Sequence, residues 1–286
     1  MSYTIRTHPA EAAPAILVVG CGGTGGFLAE SIARLLLGRD AMLCLVDMDR
    51  VEPRNAARQA FRREDVGRFK AQVLAERMAE RYGLEVRYSV LPYDRALHAR
   101  AFDGARGLKL VTGCVDNAPA RRAMAETLGS GVPAPYGYSQ PREVWWLDCG
   151  NGRNSGQVLL GSVTSLEELK GSFREAEGVC TALPAPSVQS RELLDAPPVP
   201  EPELDCAERI ERNEQGPTIN QVIAALAASY VEKLLNGSCS WMASYVDMDA
   251  GTLATVAADP KVVSRVSGLH PNSIVSRARV AKEDAA

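Results

Sequence analysis

An unbroken apolar run, Ala15-Ile16-Leu17-Val18-Val19, passes directly into Gly20-Cys21-Gly22-Gly23-Thr24-Gly25-Gly26, and this junction limits the fold more than any other part of the chain. Consecutive apolar residues without alternation read as a strand buried on both faces, as in a parallel sheet. Glycines at 20, 22, 23 and 25 permit a tight turn and a close approach of backbone to ligand. Helical apolar spacing follows from Phe27 to Leu37 and stops at Gly38, and Met42 to Val46 is a second apolar run. Strand, glycine turn, helix, strand is a βαβ unit, whose turn presents a helix amino terminus to an anion. No Gly-Lys-Ser/Thr follows the glycines, which excludes a P-loop triphosphatase.

The remaining chain continues this pattern. Lys70 to Tyr82 has one apolar face, Val73, Leu74 and Met78, and reads as a helix. Val86 to Leu91 and Leu108 to Thr112 read as strands, and Pro119 opens a helix that runs to Leu128. Glu143 to Asp148 and Gln157 to Leu160 read as antiparallel strands. From Leu183 to Glu203 proline is dense, which predicts a long, exposed and mobile excursion. A wide apolar stripe from Thr218 to Leu235 predicts one long helix; Trp241 to Val246 and Thr252 to Val256 are strand-like, and the tail after about Asn272 is expected to fray. The expected fold is α/β: a Rossmann-like, doubly wound, mostly parallel sheet with antiparallel C-terminal strands. At 286 residues one domain suffices, with a nucleotide-binding part over 10–164, a mobile Pro-rich crossover over 165–216, and the long helix and last strands over 217–270.

Composition narrows the partners. Apolar residues make up 46% and charged residues 23%, ordinary for a globular protein, and the net charge is −3. No basic patch is apparent, so nucleic-acid binding is disfavoured. No apolar run has transmembrane length, and Arg6, His8 and Pro9 do not resemble a signal peptide, so no membrane partner and a cytoplasmic location are expected. Seven cysteines without regular spacing read as free thiols.

The chemistry concentrates after the second strand, in Asp47-Met48-Asp49-Arg50-Val51-Glu52-Pro53-Arg54-Asn55-Ala56-Ala57-Arg58-Gln59. Asp47 is placed to accept hydrogen bonds from a ribose, in ATP as in NAD. A redox dinucleotide needs no more than that acid. Asn55, Arg58 and Gln59, with Lys70 further on, suit a triphosphate: a guanidinium fork matches phosphate oxygens. A lysine opening a helix gains nothing from the helix dipole, which asks for another reason for Lys70. Asp116 follows the carboxyl end of a strand, where open parallel sheets bind ligands, and a hard carboxylate there suits Mg²⁺ or a helix cap.

Taken in order, the glycine loop, Asp47, Asn55, Arg58-Gln59, Lys70 and Asp116-Asn117 with Arg121 resemble the ThiF/MoeB superfamily of ubiquitin-like-protein activating enzymes. Asp148-Cys149-Gly150-Asn151 with Gly156 to Gly161, and Asn213 to Gln221, resemble most the ThiF family of PRTRC gene cassettes. The resemblance implies an adenylyltransferase. Gly20, Gly22, Gly23, Gly25, Asp47, Asn55, Arg58, Gln59, Lys70, Asp116 and Asn117 would bind ATP. Arg58, Lys70 and Asp116 would act in catalysis, Asp116 through Mg²⁺. The substrate implied is the C-terminal glycine carboxylate of a small β-grasp protein, and a homodimer is implied as well. Many relatives carry a catalytic cysteine before the long helix; Cys206 is the best positional match and Cys180 the second, although acids surround Cys206. The paired Cys-x-x-Cys motifs that hold zinc in many relatives are missing, so no zinc is expected. Two other readings stay open: an NAD-dependent oxidoreductase on the same fold, which leaves Arg58, Lys70 and Asp116 without a task, and a non-catalytic nucleotide-binding scaffold.

Overall fold

The protein is described by a computed structural model over residues 3–7, 12–128, 143–195 and 216–277. Its centre is an eight-stranded sheet. The first βαβ unit consists of β2 (Ala15–Val19), α1 (Gly23–Leu35) and β3 (Met42–Val46), after a short β1 (Thr4–Ile5). Every residue of β2 is buried, as expected for a strand covered on both sides. Then follow α2 (Lys70–Tyr82), β4 (Val86–Ser89), α3 (Arg95–Phe102), β5 (Lys109–Gly113) and α4 (Ala118–Ala125). Strands β6 (Val144–Asn151) and β7 (Ser155–Gly161) form a hairpin. After β8 (Phe173–Arg174), β9 (Val179–Cys180) and α5 (Pro186–Gln189) comes the long α6 (Pro217–Leu235). The chain closes with β10 (Trp241–Asp247), β11 (Thr252–Ala257), α7 (Pro260–Ser267), α8 (Pro271–Ile274) and β12 (Val275–Ser276).

The order across the large sheet is β11-β10-β7-β6-β5-β2-β3-β4. Strands β4, β3, β2, β5 and β6 are parallel, and β7, β10 and β11 are antiparallel additions. The expected doubly wound sheet is therefore present, with one difference: β6 runs parallel to β5, Lys109 opposite Val144, and the direction first reverses at the β6–β7 turn. Connections leave β2 toward β3 on one side and reach β5 on the other, which opens a crevice at the carboxyl ends of β2 and β5.

Side chains alternate across the sheet. Ile16 and Val18 face a core shared with α1, α2 and α6; Leu17 and Val19 face a second core with Leu97 and Phe102 of α3 and Met124 of α4. Trp145 and Trp146 divide in the same way on β6. Helices α1 and α6 pack side by side and run in the same direction: Thr24 meets Asn220 at their starts and Arg39 meets Asn236 beyond their ends.

Two further expectations are corrected, and two elements were not legible. Leu183 and Ala185 are fully buried rather than exposed: Pro184 bridges to Val163, its carbonyl accepts from Gln189, and Pro186 opens α5, where a missing N–H costs nothing. Residues 196–203 of that expected excursion lie outside the described residues. As far as Arg277 the tail is anchored, through buried Ile274 and the pairing of Val275 with Phe173, and residues 278–286 lie outside the described residues. A second sheet, β1-β9-β8-β12, with Tyr3 edge-on to Phe173 at 4.9 Å, was not legible because its strands are two residues long. Helix α3, also unread, is short, and its few apolar residues are divided by arginines; Asp94 caps it by accepting from the Leu97 N–H.

Candidate functional site

A cleft of about 1010 Å³ opens at the carboxyl ends of β2, β3 and β5. Gly20, Gly22, Gly23, Asp47, Asn55, Arg58, Gln59, Lys70, Asp116 and Asn117 all line it, so residues up to about a hundred positions apart meet in one cavity. Gly25 is the exception. It does not line the cleft, and a Cβ there would stand 1.8 Å from the Gly20 carbonyl oxygen, so this glycine is needed for packing of the turn itself. Gly20 takes φ +89, and a Cβ on it would stand 2.6 Å from the Cys114 carbonyl oxygen; both facts require glycine.

Asp47 closes β3. Its Oδ2 accepts from the Cys21 N–H at 2.6 Å and its Oδ1 from the Asp49 N–H at 2.8 Å, which ties the strand end to the glycine turn. Burial raises its pKa, against the opposing pull of those two amides. The remaining lone pairs of the carboxylate are free to accept sugar hydroxyls. Lys70 is buried, and its Nζ donates to Asp49 Oδ2 at 2.9 Å. Asp49 was not assigned a role from sequence, although it stands in the stretch that drew attention. Asn55 is buried, and its Oδ1 accepts from the Glu52 N–H at 2.8 Å, so the amide also caps the turn Pro53–Ala57 and offers only Nδ2 to a ligand. Arg58 is half-buried and forms no ion pair or hydrogen bond through its guanidinium among the described residues. Gln59 Oε1 is buried without a partner among the described residues, beside Gly22. Asp116 is exposed at the mouth, within 3.4 Å of Asn117 Nδ2, while Asn117 Oδ1 caps α4 through the Ala120 N–H.

Two polar clusters escaped the reading of the sequence. Arg121 of α4 is nearly buried and donates through Nε to Asp148 Oδ1 at 3.1 Å, and Asp148 is fully buried. Thr24, Asn151 and Asn220 hydrogen-bond to one another at the start of α1. Asp148 and Asn151 stand in a motif that was singled out, but strand periodicity alone does not say which polar residue of a buried strand finds a partner.

Of the two cysteines expected from the resemblance, Cys180 does not line the cleft. Cys180 is fully buried in the small sheet, donates to the Ala182 carbonyl at 3.2 Å, and has its pKa pushed up to about 12 by burial, which disfavours a thiolate. Cys206 lies outside the described residues. Among the described residues no group of three or more His, Cys, Asp or Glu side chains is placed to hold a metal ion by itself, and no helix is long and apolar enough to cross a membrane.

Two buried groups set opposing pH responses beneath the site. Burial raises the Asp148 pKa from 3.8 to about 6, so the folded protein takes up a proton first and stability falls as pH rises from about 4 to 6. Burial lowers the His98 pKa from 6.5 to about 4, so the unfolded chain takes up a proton first and stability rises over nearly the same window. His98 is held by Tyr93, whose hydroxyl lies 2.5 Å from Nδ1. The two responses offset each other. Asp148→Asn is expected to unmask the histidine: its unfolding free energy, from denaturant titration, should climb between pH 4 and 6.5 by about 3 kcal/mol, where the wild type stays nearly level. An unchanged profile would remove Asp148 from this balance.

Comparison with known proteins places the chain in one family. The ThiF family profile matches residues 11–261. The mouse protein "Adenylyltransferase and sulfurtransferase MOCS3" is 42% identical over 119 residues, 41% of this chain and 25% of that one. The "Ubiquitin-like modifier-activating enzyme 5" of Oryza sativa subsp. japonica is 36% identical over 118 residues, 37% of this chain and 27% of that one. The chain thus spans about a quarter of the length of these curated relatives. Among solved structures, PaaA superposes with a TM-score of 0.55 at 15% identity, covering 87% of this chain and 65% of that one. E. coli MccB, solved with ATP, gives 0.51 at 18% identity, again over 87% and 65%; both show the shared fold. With a profile that extends over most of its length, this chain belongs to the ThiF family.

Proposed function

We propose that this protein is an ATP-dependent adenylating enzyme acting on the C-terminal glycine carboxylate of a small β-grasp protein. The observation that carries the reading is the meeting of Asp47, Arg58, Lys70 and Asp116 around one cleft at the crevice between β2 and β5. Asp47 takes the ribose. Met48 and Leu91, both exposed at the rim, offer an apolar slot for the base. Arg58 and Lys70 sit on the phosphates. A carboxylate oxygen attacks the α-phosphorus, the bond to the bridging oxygen of the β-phosphate breaks, and pyrophosphate leaves. The attacking group is already ionised at neutral pH, so no general base is required. What the protein supplies is position and cationic screening of two anions that would otherwise repel.

Asp116 fits Mg²⁺ that arrives with the triphosphate: Mg²⁺ takes one or two carboxylates and completes its shell with phosphate and water rather than with a cage of side chains. When bound, that ion neutralises phosphate charge.

The test is ATP–pyrophosphate exchange with glycine-terminated β-grasp partners, alongside thermal shift with ATP and with NAD. Exchange that depends on the partner, with stabilisation by ATP alone, is the expected result. Stabilisation by NAD and no exchange with any partner would overturn the reading. The finer placement in the PRTRC group rests on the Asp148 to Asn151 and Asn213 to Gln221 motifs. The cytoplasmic site and the homodimer belong to the same proposal, and light scattering of the purified chain decides the dimer.

A further inference from the structure

Cys149 lies in β6, inside the Asp148–Asn151 motif to which the proposed reaction gives no task, and Cys114 directly follows β5. The two strands run parallel, with Leu110 opposite Trp145, Thr112 opposite Leu147 and Gly113 opposite Asp148. Cys114 and Cys149 stand one position beyond that last pair, and the Cys114 N–H still donates to the Val19 carbonyl at 2.8 Å, so the chain after β5 keeps its place in the sheet. Residues two apart on a strand share a face. Both thiols therefore stand on the face of Leu110, Trp145 and Leu147, and both pack in that core. Neighbouring strands lie about 4.8 Å apart, inside the roughly 4.4–6.8 Å between Cα atoms that a disulfide accepts. The Cys149 thiol is hydrogen-bonded to Cys114. Both residues line the cleft, Cys149 buried and Cys114 half-buried.

Cys114 is also packed on the glycine turn. A Cβ on Gly20 would stand 2.6 Å from its carbonyl oxygen, a Cβ on Gly25 would stand 3.1 Å from its own Cβ, and Asp116 follows two positions later. We propose that Cys114 and Cys149 are a dithiol that hydrogen peroxide closes to a disulfide, and that the closed form binds nucleotide less well. The Cys114 sulfur attacks one peroxide oxygen, the O–O bond breaks, and the thiol proton leaves with the departing hydroxide as water. The Cys149 sulfur then attacks the sulfenic sulfur of Cys114, its proton leaves with the hydroxyl as a second water, and the S–S bond forms. The two sulfurs are oxidised and the two peroxide oxygens reduced. A small-molecule thiol reopens the bond by exchange. Closure draws the sulfurs from contact to about 2.05 Å and pulls the end of β5 toward β6, away from the glycine turn packed on it. The dithiol stands on its own geometry; its effect on binding rests on the nucleotide reading above.

Peptide mapping and direct binding test the two halves together. The reduced chain is treated with hydrogen peroxide, its remaining thiols are blocked, and the digested protein is read by mass spectrometry. A peptide joining Cys114 to Cys149, lost again after dithiothreitol, is expected. Titration calorimetry with ATP on reduced, oxidised and re-reduced protein should show binding weakened about tenfold by oxidation, as groups preorganised for the ligand are displaced, and then restored. Cys114→Ala and Cys149→Ala should each bind ATP as the reduced wild type does and hold that affinity through peroxide. No joined peptide, a bridge to a different cysteine such as Cys21, or unchanged ATP affinity in protein that carries the bridge overturns the proposal. Equal loss of affinity in the two alanine variants after peroxide places the damage elsewhere and overturns it as well. Reduced wild type that binds no ATP overturns the nucleotide reading and the effect on it, while the joined peptide still decides the dithiol.

Discussion

Lys70→Met should lower ATP–pyrophosphate exchange by about 10²–10³-fold, the usual consequence of deleting one preorganised charge that faces a developing anion. The substitution keeps the aliphatic stem that packs at the start of α2 and removes only the ammonium. Its partner Asp49 is 65% exposed at the side chain, so the abandoned carboxylate regains water. The ion pair is therefore worth little to the fold, on the order of 1 kcal/mol or less. Activity and stability should separate: exchange collapses while the melting temperature barely moves. A further distinction follows from the pair itself. Asp49→Asn frees the ammonium without deleting it and should cost far less than Lys70→Met. If Lys70→Met retained exchange within threefold of wild type, the lysine would be a structural partner of Asp49 and nothing more.

Arg121→Met should have the largest effect on stability. Asp148 is fully buried, and the guanidinium of Arg121 donates to both of its carboxylate oxygens. Deleting one member of a buried pair leaves an uncompensated charge and costs about 3–5 kcal/mol. For a chain of this size that lowers the melting temperature by roughly 6–15 °C. The loss should be smaller at pH 5 than at pH 8, because a carboxyl titrating at about 6 escapes the penalty by taking up a proton. The double variant Arg121→Met, Asp148→Leu should recover much of the stability, since both ends of the pair are then apolar. Scanning calorimetry at the two pH values checks all three statements. A single variant that melts with the wild type at pH 8 would show that Asp148 is neutral without the arginine.

The parallel half of the sheet was legible because its strands are continuous apolar runs and its turns carry glycine. The candidate binding stretch stands out in the sequence because a cofactor fold needs one acid there and this chain supplies two, with Arg58 and Lys70 besides. What escaped has a physical reason in each case. Strands of two residues have no period, so β1, β8, β9 and β12 leave no trace. The prolines from 184 to 186 read as a break because proline cannot donate, yet a parallel bridge through a carbonyl and the first position of α5 ask for no donor there. Asp148 and Asn220 lie in stretches otherwise buried among apolar side chains, and a polar residue in such a run declares its partner only once the fold brings it near. Asn55 reads as a phosphate ligand, yet its Oδ1 caps a turn and only its Nδ2 remains for a ligand: a short amide carries an acceptor and a donor, and sequence does not say which is already used.

The parallel seating of α1 against α6 bears on the order in which this protein is made. Thr24 and Asn220 are 196 positions apart, as are, within one, Arg39 and Asn236. While the chain leaves the ribosome, the face of α1 that packs on α6 stays uncovered until Pro217–Leu235 has been synthesised. Closure across so long an interval is slow. Newly made protein therefore spends time with that greasy flank open to chaperones or to its own neighbours, and translation of Pro217–Leu235 is the step at which it becomes safe.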